Sequence, residues 1–355
     1  MKILFTFENL SSLERTNYII NWLKYNNFDV TVCCHKFNND SPKYIQNRTF
    51  VSILSKIDNF DEYDMWIYDI YDDNNISNKS LYISELLKFK NTLILLSSDD
   101  CHEILFSRLD EEGFILNKSK YYLGNVWVKD RRKYHYINRN QMHKFRLLPM
   151  FFETSVHIDE KNIIPYNLKK RKIDYKGSLT GHIPISDFRI NTILKAITLS
   201  NDIIDIKITG YSNDPINKYY YNIVLPDYLK SDPLCFNEYI SYLNNSKISL
   251  CPKGNSVSFT YRFYESLRCN NLVFSNKIFE DYDIYNPPVE NYHYVQYNYD
   301  CSDLIQKLNY FINNTFEAES IANRGSSYWN QNYNINCDGS IPYLLKDHLE
   351  ELLFK

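Results

Sequence analysis

Two short stretches of the chain combine residue types suited to binding an anion and a polyol. The first, at 250–275, reads LCPKGNSVSFTYRFYESLRCNNLVFS. An apolar strand runs into a small polar loop with Lys253, Gly254, Ser256 and Ser258, and the loop opens into a helix carrying Arg262 and Glu265. The second, YKGSLTGH at 175–182, follows the strand IDY and contains Gly177, Ser178 and Thr180, with Arg189 on the helix beyond. A Lys-Gly loop at a helix N-terminus presents backbone N–H groups with little steric cover, and the helix dipole adds attraction for negative charge. Ser258 reads as the N-cap of a helix starting near Phe259. Arg262 then lies on the first turn, where its planar fork suits a phosphate. Glu265, three residues on along the same face, is poorly placed for phosphate and well placed for a vicinal diol such as ribose. Phosphate and ribose together describe a nucleotide. The competing account is an ordinary i,i+3 surface ion pair, which contributes only a few tenths of a kcal/mol.

Other chemistry-bearing patterns are weaker. No G-x-G-x-x-G occurs, and PKGNS lacks the G-x-x-x-x-G-K-[ST] of a P-loop, so the usual nicotinamide and ATPase readings lose their main support. Asp281-Tyr-Asp283 has the D-x-D form that could hold a hard cation, but the spacing is common in an Asp/Tyr-rich chain. No metal is expected, and His182 and His293 read as polar cleft or surface groups. A transfer to a hydroxyl needs a general base. Carboxylates following apolar strands of the first half supply the candidates: Asp100 and Glu8 first, then Asp69, Asp72 and Asp99, with His102 beside them. Each also suits a turn or an N-cap, as in SSDD.

The elements that must carry these residues alternate along the chain. KILFTF, DVTVCC, YDMWIYDIY and TLILLS read as strands, with the helical patterns SLERTNYIINWLKYNN and SLYISELLKF between them. The region 111–150 is less regular, and its basic run VKDRRKYHYINRN reads as a solvated face or loop. Near 150–172, two prolines and a closing KKRK suggest an interdomain connection. A second alternating series follows, through IDYKGS, IDIKITGY, KISLCP, NLVFS and YHYVQY. Alternation of this kind predicts two parallel α/β domains, at 1–155 and 170–330, with a C-terminal tail helix over 331–355 that could pack back on the first. In such open sheets ligands bind at the carboxyl ends of strands, where both motif loops fall.

Bulk properties narrow the classes. The 355-residue chain is 44% hydrophobic and 23% charged, with net charge −3, as expected of a globular protein without the basic excess of a nucleic-acid binder. Its 32 tyrosines fit AT-rich coding, though an aromatic face with a polar tip also suits a sugar. Eight cysteines include no C-x-x-C, so neither a disulfide framework nor a zinc site is expected. MKILFTFENL is too short an apolar run for a signal peptide, and no segment is long enough to span a membrane. The sequons at Asn47 and Asn78 are expected by chance in an Asn-rich chain. A cytoplasmic location is the expectation.

The segment SKISLCPKGNSVSFTYRFYESLRCNNLVFSN resembles the exostosin-like glycosyltransferases, whose donor domain has a strand, a Cys-x-Pro-x-Gly loop, a helix with Arg and Glu, a small-residue turn and an apolar strand. IDYKGSLTGHIPISDFRINTILKA is similar to the Gly–Ser loop and Arg that open that domain, there and in the related protein O-glucosyl/xylosyltransferases. The later ENYHYVQYNYDCSDLIQKLNYFINNTFEAESIANRG is similar to the end of the latter family, with its Ile-Ala-x-x-Gly. The resemblance covers roughly 170–330. Two departures are a longer loop, NSVSFTYR, and a turn that is CNN rather than Gly-Cys.

The resemblance implies a GT-B glycosyltransferase: two Rossmann-like domains facing a central cleft, with a nucleotide-sugar, UDP-linked in expectation, held by the second domain. Arg262 matches the diphosphate-binding Arg and Glu265 the helix carboxylate commonly set on the ribose. Gly177, Ser178 and Arg189 match the first donor loop and its Arg. Transfer to a glycan or other hydroxyl acceptor would be inverting and metal-independent, with no cofactor beyond the co-substrate. A sugar- or nucleotide-binding module without catalysis, and a GT-B-shaped epimerase or phosphorylase, are the alternatives.

Overall fold

The computed structural model describes residues 1–7, 19–20, 23–24, 26–34, 53–54, 57–70, 85–86, 88–97, 119–124, 126–128, 143–147, 160–177, 185–200, 202–209, 226–232, 234–253, 260–276, 282–284 and 286–333. The chain divides into two compact units. One comprises Met1–Val156, Glu280–Asn286 and Tyr333–Lys355, the other His157–Phe279 and Pro287–Asn332. The tail helix expected beyond Tyr333 lies outside the described residues.

The first unit is built on β1 (Lys2–Phe7), β2 (Asp29–Cys34), β3 (Ile53–Leu54), β4 (Met65–Ile70), β5 (Thr92–Ser97), β6 (Tyr121–Gly124) and β8 (Phe145–Leu147). They form one sheet in the order β3-β2-β1-β4-β5-β6-β8, and every pairing is parallel. Strands covered on both faces read as unbroken apolar runs rather than alternating ones. KILF and LILL do so, with Ile3, Leu4, Phe5 and Leu93 to Leu96 all buried. Trp66 anchors this core. Its Nε1 donates to Thr6 Oγ1 at 2.8 Å, and its ring packs on Phe60 and Phe89 with centroids 4.7 and 5.4 Å away.

The region 111–150, read from sequence as irregular, contributes β6, β7 (Val126–Val128) and β8. These strands have only three or four residues, too few for a clear period. What makes them strands is an existing edge: Ile94↔Tyr121 extends the sheet, and Tyr122↔Phe145 extends it again. β7 instead pairs antiparallel with β13 (Tyr282–Ile284).

The second unit carries β9 (Arg171–Gly177), β10 (Ile204–Ile208), β11 (Ser246–Leu250), β12 (Leu272–Asn276) and β14 (Val295–Tyr297). Its helices are α1 (Ile185–Ala196), α2 (Phe236–Asn244), α3 (Tyr261–Arg268), α4 (Leu304–Asn313) and α5 (Thr315–Tyr333). The sheet order is β10-β9-β11-β12-β14, all parallel. The chain therefore grows the sheet one way from β9 to β10, then returns to the other side of β9 with β11. That reversal leaves a crevice at the carboxyl ends of β9 and β11, where α/β sheets bind ligands. Beneath it, Tyr175, Ile248, Leu250, Phe274 and Val295 are buried with Leu304 and Leu308 of α4 and Ala318 and Ala322 of α5.

Two local features explain motif residues. α3 ends at Arg268 with Cys269 as its C-cap, and Asn270 follows at φ 59°. Asn270 N–H donates to Leu267 O and Asn271 N–H to Ser266 O, both at 3.0 Å, closing the helix with a Schellman turn. Asn is the non-glycine residue that best tolerates this left-handed conformation, so CNN performs the turn a Gly would. Gly325, in the Ile-Ala-x-x-Gly of α5, sits where a Cβ would stand 2.6 Å from the His293 carbonyl oxygen and 2.7 Å from Leu267 Cδ2. The helix can approach the turn before β14 and α3 this closely only without a side chain there.

The basic cluster at 169–172, expected to close an interdomain connection, contributes a core residue. Lys169 is buried, and its Nζ donates to Asn244 O, Cys269 O and Asn271 Oδ1 at 2.7, 2.6 and 2.8 Å. Asn271 Nδ2 donates onward to Ser249 Oγ at 2.8 Å, and Ser249 Oγ donates to Asp174 Oδ1 at 2.6 Å. A buried ammonium and a buried carboxyl group are thus linked through two side chains.

Candidate functional site

The two sequence motifs meet at the reversal point. β9 ends in Lys176–Gly177, and β11 leads into Cys251–Pro252–Lys253 on the neighbouring strand, with Ser249 in register with Asp174. Each motif's arginine crosses to the other's backbone. Arg189 of α1 donates through Nε to Lys253 O at 3.1 Å. Arg262 of α3 donates through Nη2 to Lys176 O, and its guanidinium lies over the Tyr175 ring, 4.3 Å from the centroid. Gly177 makes this possible: a Cβ there would overlap Arg262 Nη2 and stand 2.9 Å from Cζ. The spacing of Gly177 and Arg262 in sequence says nothing of this contact; adjacency of β9 and β11 creates it.

α3 starts at Tyr261 with Thr260 as its N-cap residue, two positions later than the Ser258 cap expected, and no side-chain hydrogen bond caps it. Arg262 is still on the first turn. The first buried apolar residues of the helix are Phe263 and Tyr264. Three α3 residues turn inward to different partners. Glu265 is 5% exposed and its Oε2 accepts from Tyr239 Oη at 2.7 Å. Ser266 Oγ lies 3.6 Å from Cys251 Sγ. Arg268 packs over Trp329, 4.3 Å from the ring centroid. Arg262 and Glu265 are thus each bound to a different element: the guanidinium to the β9 backbone, the carboxylate to α2. A solvated helix-surface pair does not describe them.

Burial sets the protonation states. Burial, together with the Glu265 carboxylate beside it, pushes the Tyr239 hydroxyl well above its ordinary value, so it remains a donor. Burial raises the Cys251 and Cys269 thiols to about 12, leaving them neutral. Cys33, Cys251, Cys269 and Cys301 are free and buried, and Cys235 is free and exposed. Burial also raises Asp174 to about 6, opposed by its hydrogen bond from Ser249 and by Arg262, and lowers Lys169 to about 8.

Of the expected ligand-binding residues, Lys253, Gly177, Arg189, Arg262 and Glu265 converge here. Gly254, Ser256, Ser258, Ser178 and Thr180 lie outside the described residues, as do Glu8, Asp72, Asp99, Asp100, His102, His182 and Asp281. Asp69 of β4 is fully buried in its sheet, in register with Phe7. Asp283 lies within β13, opposite Trp127. His293 Nδ1 accepts from the Val289 N–H at 2.8 Å, and burial holds its pKa below the ordinary value. No cluster of three or more His, Cys, Asp or Glu that could hold a metal is found among the described residues. Among those residues, no helix is long and apolar enough to cross a membrane. Sequence reading singled out neither Tyr175 and Asn276, which lie inside the quoted segments, nor Tyr239, which lies outside them; strand and helix packing bring them to the site.

No protein-family model and no curated protein matches the sequence. Solved structures do match. Anabaena HepE in complex with UDP and glucose aligns over 100% of both chains with a TM-score of 0.66 at 11% identity. Sucrose-phosphate synthase from Thermosynechococcus elongatus aligns over 100% of this chain and 99% of its own, with a TM-score of 0.61 at 10% identity. UDP-GlcNAc 2-epimerase from Neisseria meningitidis bound to UDP-GlcNAc aligns over 100% of both chains, with a TM-score of 0.55 at 12% identity. At such identities the likeness is one of fold, and the fold is α/β of the GT-B type, two Rossmann-like units in one chain.

Proposed function

We propose that this protein is a glycosyltransferase that moves a sugar from a nucleotide-sugar, a UDP-sugar in the first instance, to a hydroxyl acceptor. The observation that carries the reading is the convergence of Gly177, Arg189, Lys253 and Arg262 at the carboxyl ends of β9 and β11. Structural neighbours that carry UDP, UDP and glucose, or UDP-GlcNAc on the same fold support it. In this reading Arg262 and Lys253 neutralise the diphosphate as it leaves, and the N–H groups of the first turn of α3 share that charge. Glu265, oriented by Tyr239, faces the ribose. The transfer is inverting and needs no metal, with Asp100 or Glu8 of the first unit as the base that deprotonates the acceptor.

A thermal-shift panel of UDP, GDP, ADP, CMP and their sugars tests the site. UDP and a UDP-sugar are expected to raise Tm, and Arg262→Ala to abolish that rise. A panel in which no nucleotide shifts Tm sinks the reading. A second reading, a UDP-sugar epimerase, is favoured by the fold shared with UDP-GlcNAc 2-epimerases. Product analysis separates the two: free UDP plus a glycoside supports transfer, and an isomerised sugar with an intact or released nucleotide supports epimerisation.

A further inference from the structure

Asn276 closes β12 at the same sheet edge and is 1% exposed. Its Oδ1 accepts two hydrogen bonds, from the Lys253 backbone N–H at 3.1 Å and from Tyr297 Oη at 3.2 Å. A backbone N–H can only donate, so the amide oxygen must face Lys253 and the NH2 group must point away from it. Tyr297 is itself held by Thr192 Oγ1 at 2.9 Å. Lys253 is therefore gripped on both sides of its residue, at N–H by Asn276 and at C=O by Arg189. Asn276 Nδ2 is buried and has no hydrogen-bond partner among the described residues. A buried donor left unpaired carries its full desolvation penalty, so such a group calls for an acceptor.

We propose that Asn276 is a further ligand-binding residue of this site: its Oδ1 pins the Lys253 loop, and its Nδ2 donates to a phosphate oxygen of a bound nucleoside diphosphate. The inference rests on the nucleotide reading above. Phosphate is favoured because the residue that Asn276 holds, Lys253, is a cation, as is Arg262 of the following helix, and a phosphate offers acceptors to an unpaired donor. Asn276→Asp separates the two roles. It keeps an oxygen for the Lys253 N–H and the Tyr297 hydroxyl, and replaces the donor by a second oxygen.

The test is calorimetric titration of UDP and of uridine into wild type and Asn276→Asp, with the ligand-free Tm of each as a folding control. The expected result is a loss of about tenfold to a hundredfold in UDP affinity, with uridine affinity unchanged. Wild-type UDP affinity in the folded variant overturns the proposal, and an equal loss for UDP and uridine overturns the phosphate assignment. If Asn276→Asp fails to fold, Asn276→Ala, which removes the Nδ2 donor together with the Lys253 contact, is expected to give the same pair of results. Wild type that binds neither compound fails the nucleotide reading itself; wild type that binds UDP beside an unaffected variant fails only this inference.

Discussion

Gly177→Ala is a single methyl placed where the two motifs touch. The added Cβ would overlap Arg262 Nη2 and stand 2.9 Å from Cζ and 3.1 Å from Nη1. Gly177 does not adopt a left-handed φ, so alanine meets no backbone strain there. The obstacle is the free end of a flexible side chain, which can swing aside at small cost to the fold. Strand glycine also carries extra unfolded-state entropy, worth about 0.5–1 kcal/mol, which alanine removes. The ligand-free Tm is therefore expected to stay within about 2 °C of wild type. The guanidinium, however, is expelled from its place over Tyr175. If it binds the diphosphate from there, the loss is that of a charge-assisted hydrogen bond, about 1.5–3 kcal/mol, or roughly tenfold to a hundredfold in affinity. Calorimetric titration with UDP measures this directly. Because the methyl acts only through Arg262, Gly177→Ala and Arg262→Ala should be non-additive, the double variant binding no worse than Arg262→Ala alone. Wild-type affinity in Gly177→Ala, or full additivity in the double variant, would refute the contact as the reason for the glycine.

The same substitution at Gly325 should give the opposite pattern. There the methyl meets a backbone carbonyl, so overpacking of about 1–3 kcal/mol outweighs the roughly 1 kcal/mol gained in helix propensity, and differential scanning should show a Tm lower by about 2–4 °C with UDP affinity unchanged. Asp174, raised to about 6 by burial, holds a proton in the folded chain that the unfolded chain loses near pH 4. Its contribution to stability is full below that pH and is lost as pH rises to about 6, a span worth on the order of 2–3 kcal/mol. Asp174→Asn should flatten that slope in denaturant titrations between pH 4 and 6, and an unaltered slope counts against the assignment. Lys169→Met should destabilise the second unit by about 3 kcal/mol in urea unfolding, since three acceptors lose their donor; a change below about 0.5 kcal/mol would show that the ammonium is dispensable.

Several elements were legible in residue order because their cause is local or periodic. Unbroken apolar runs mark parallel strands buried on two faces, and KILFTF and TLILLS form such strands. Alternation of strands with helices determined the α/β class. A Lys-Gly loop and an Arg on the next helix marked the candidate site, since an anion site needs backbone access and a fixed cation whatever surrounds them. The β6 and β8 edge strands were illegible, being three or four residues long and held by the strand beside them.

What tertiary structure alone decided is the partnership of these residues. Residue types at 177 and 262 do not say that a glycine on one strand exists to admit an arginine from a helix two strands of chain later. Nor do they say that Lys169 of a basic cluster is a core residue, that Tyr239 holds Glu265, or that Asn276 fastens the Lys253 loop. Each depends on the order β10-β9-β11-β12-β14, which sets side by side residues up to about a hundred positions apart. By itself the sequence nominated Gly177, Arg189, Lys253, Arg262 and Glu265 as groups of a candidate site. Long-range strand pairing determined which of them touch, because hydrogen bonding and burial act over a few ångströms of space and take no account of distance along the chain.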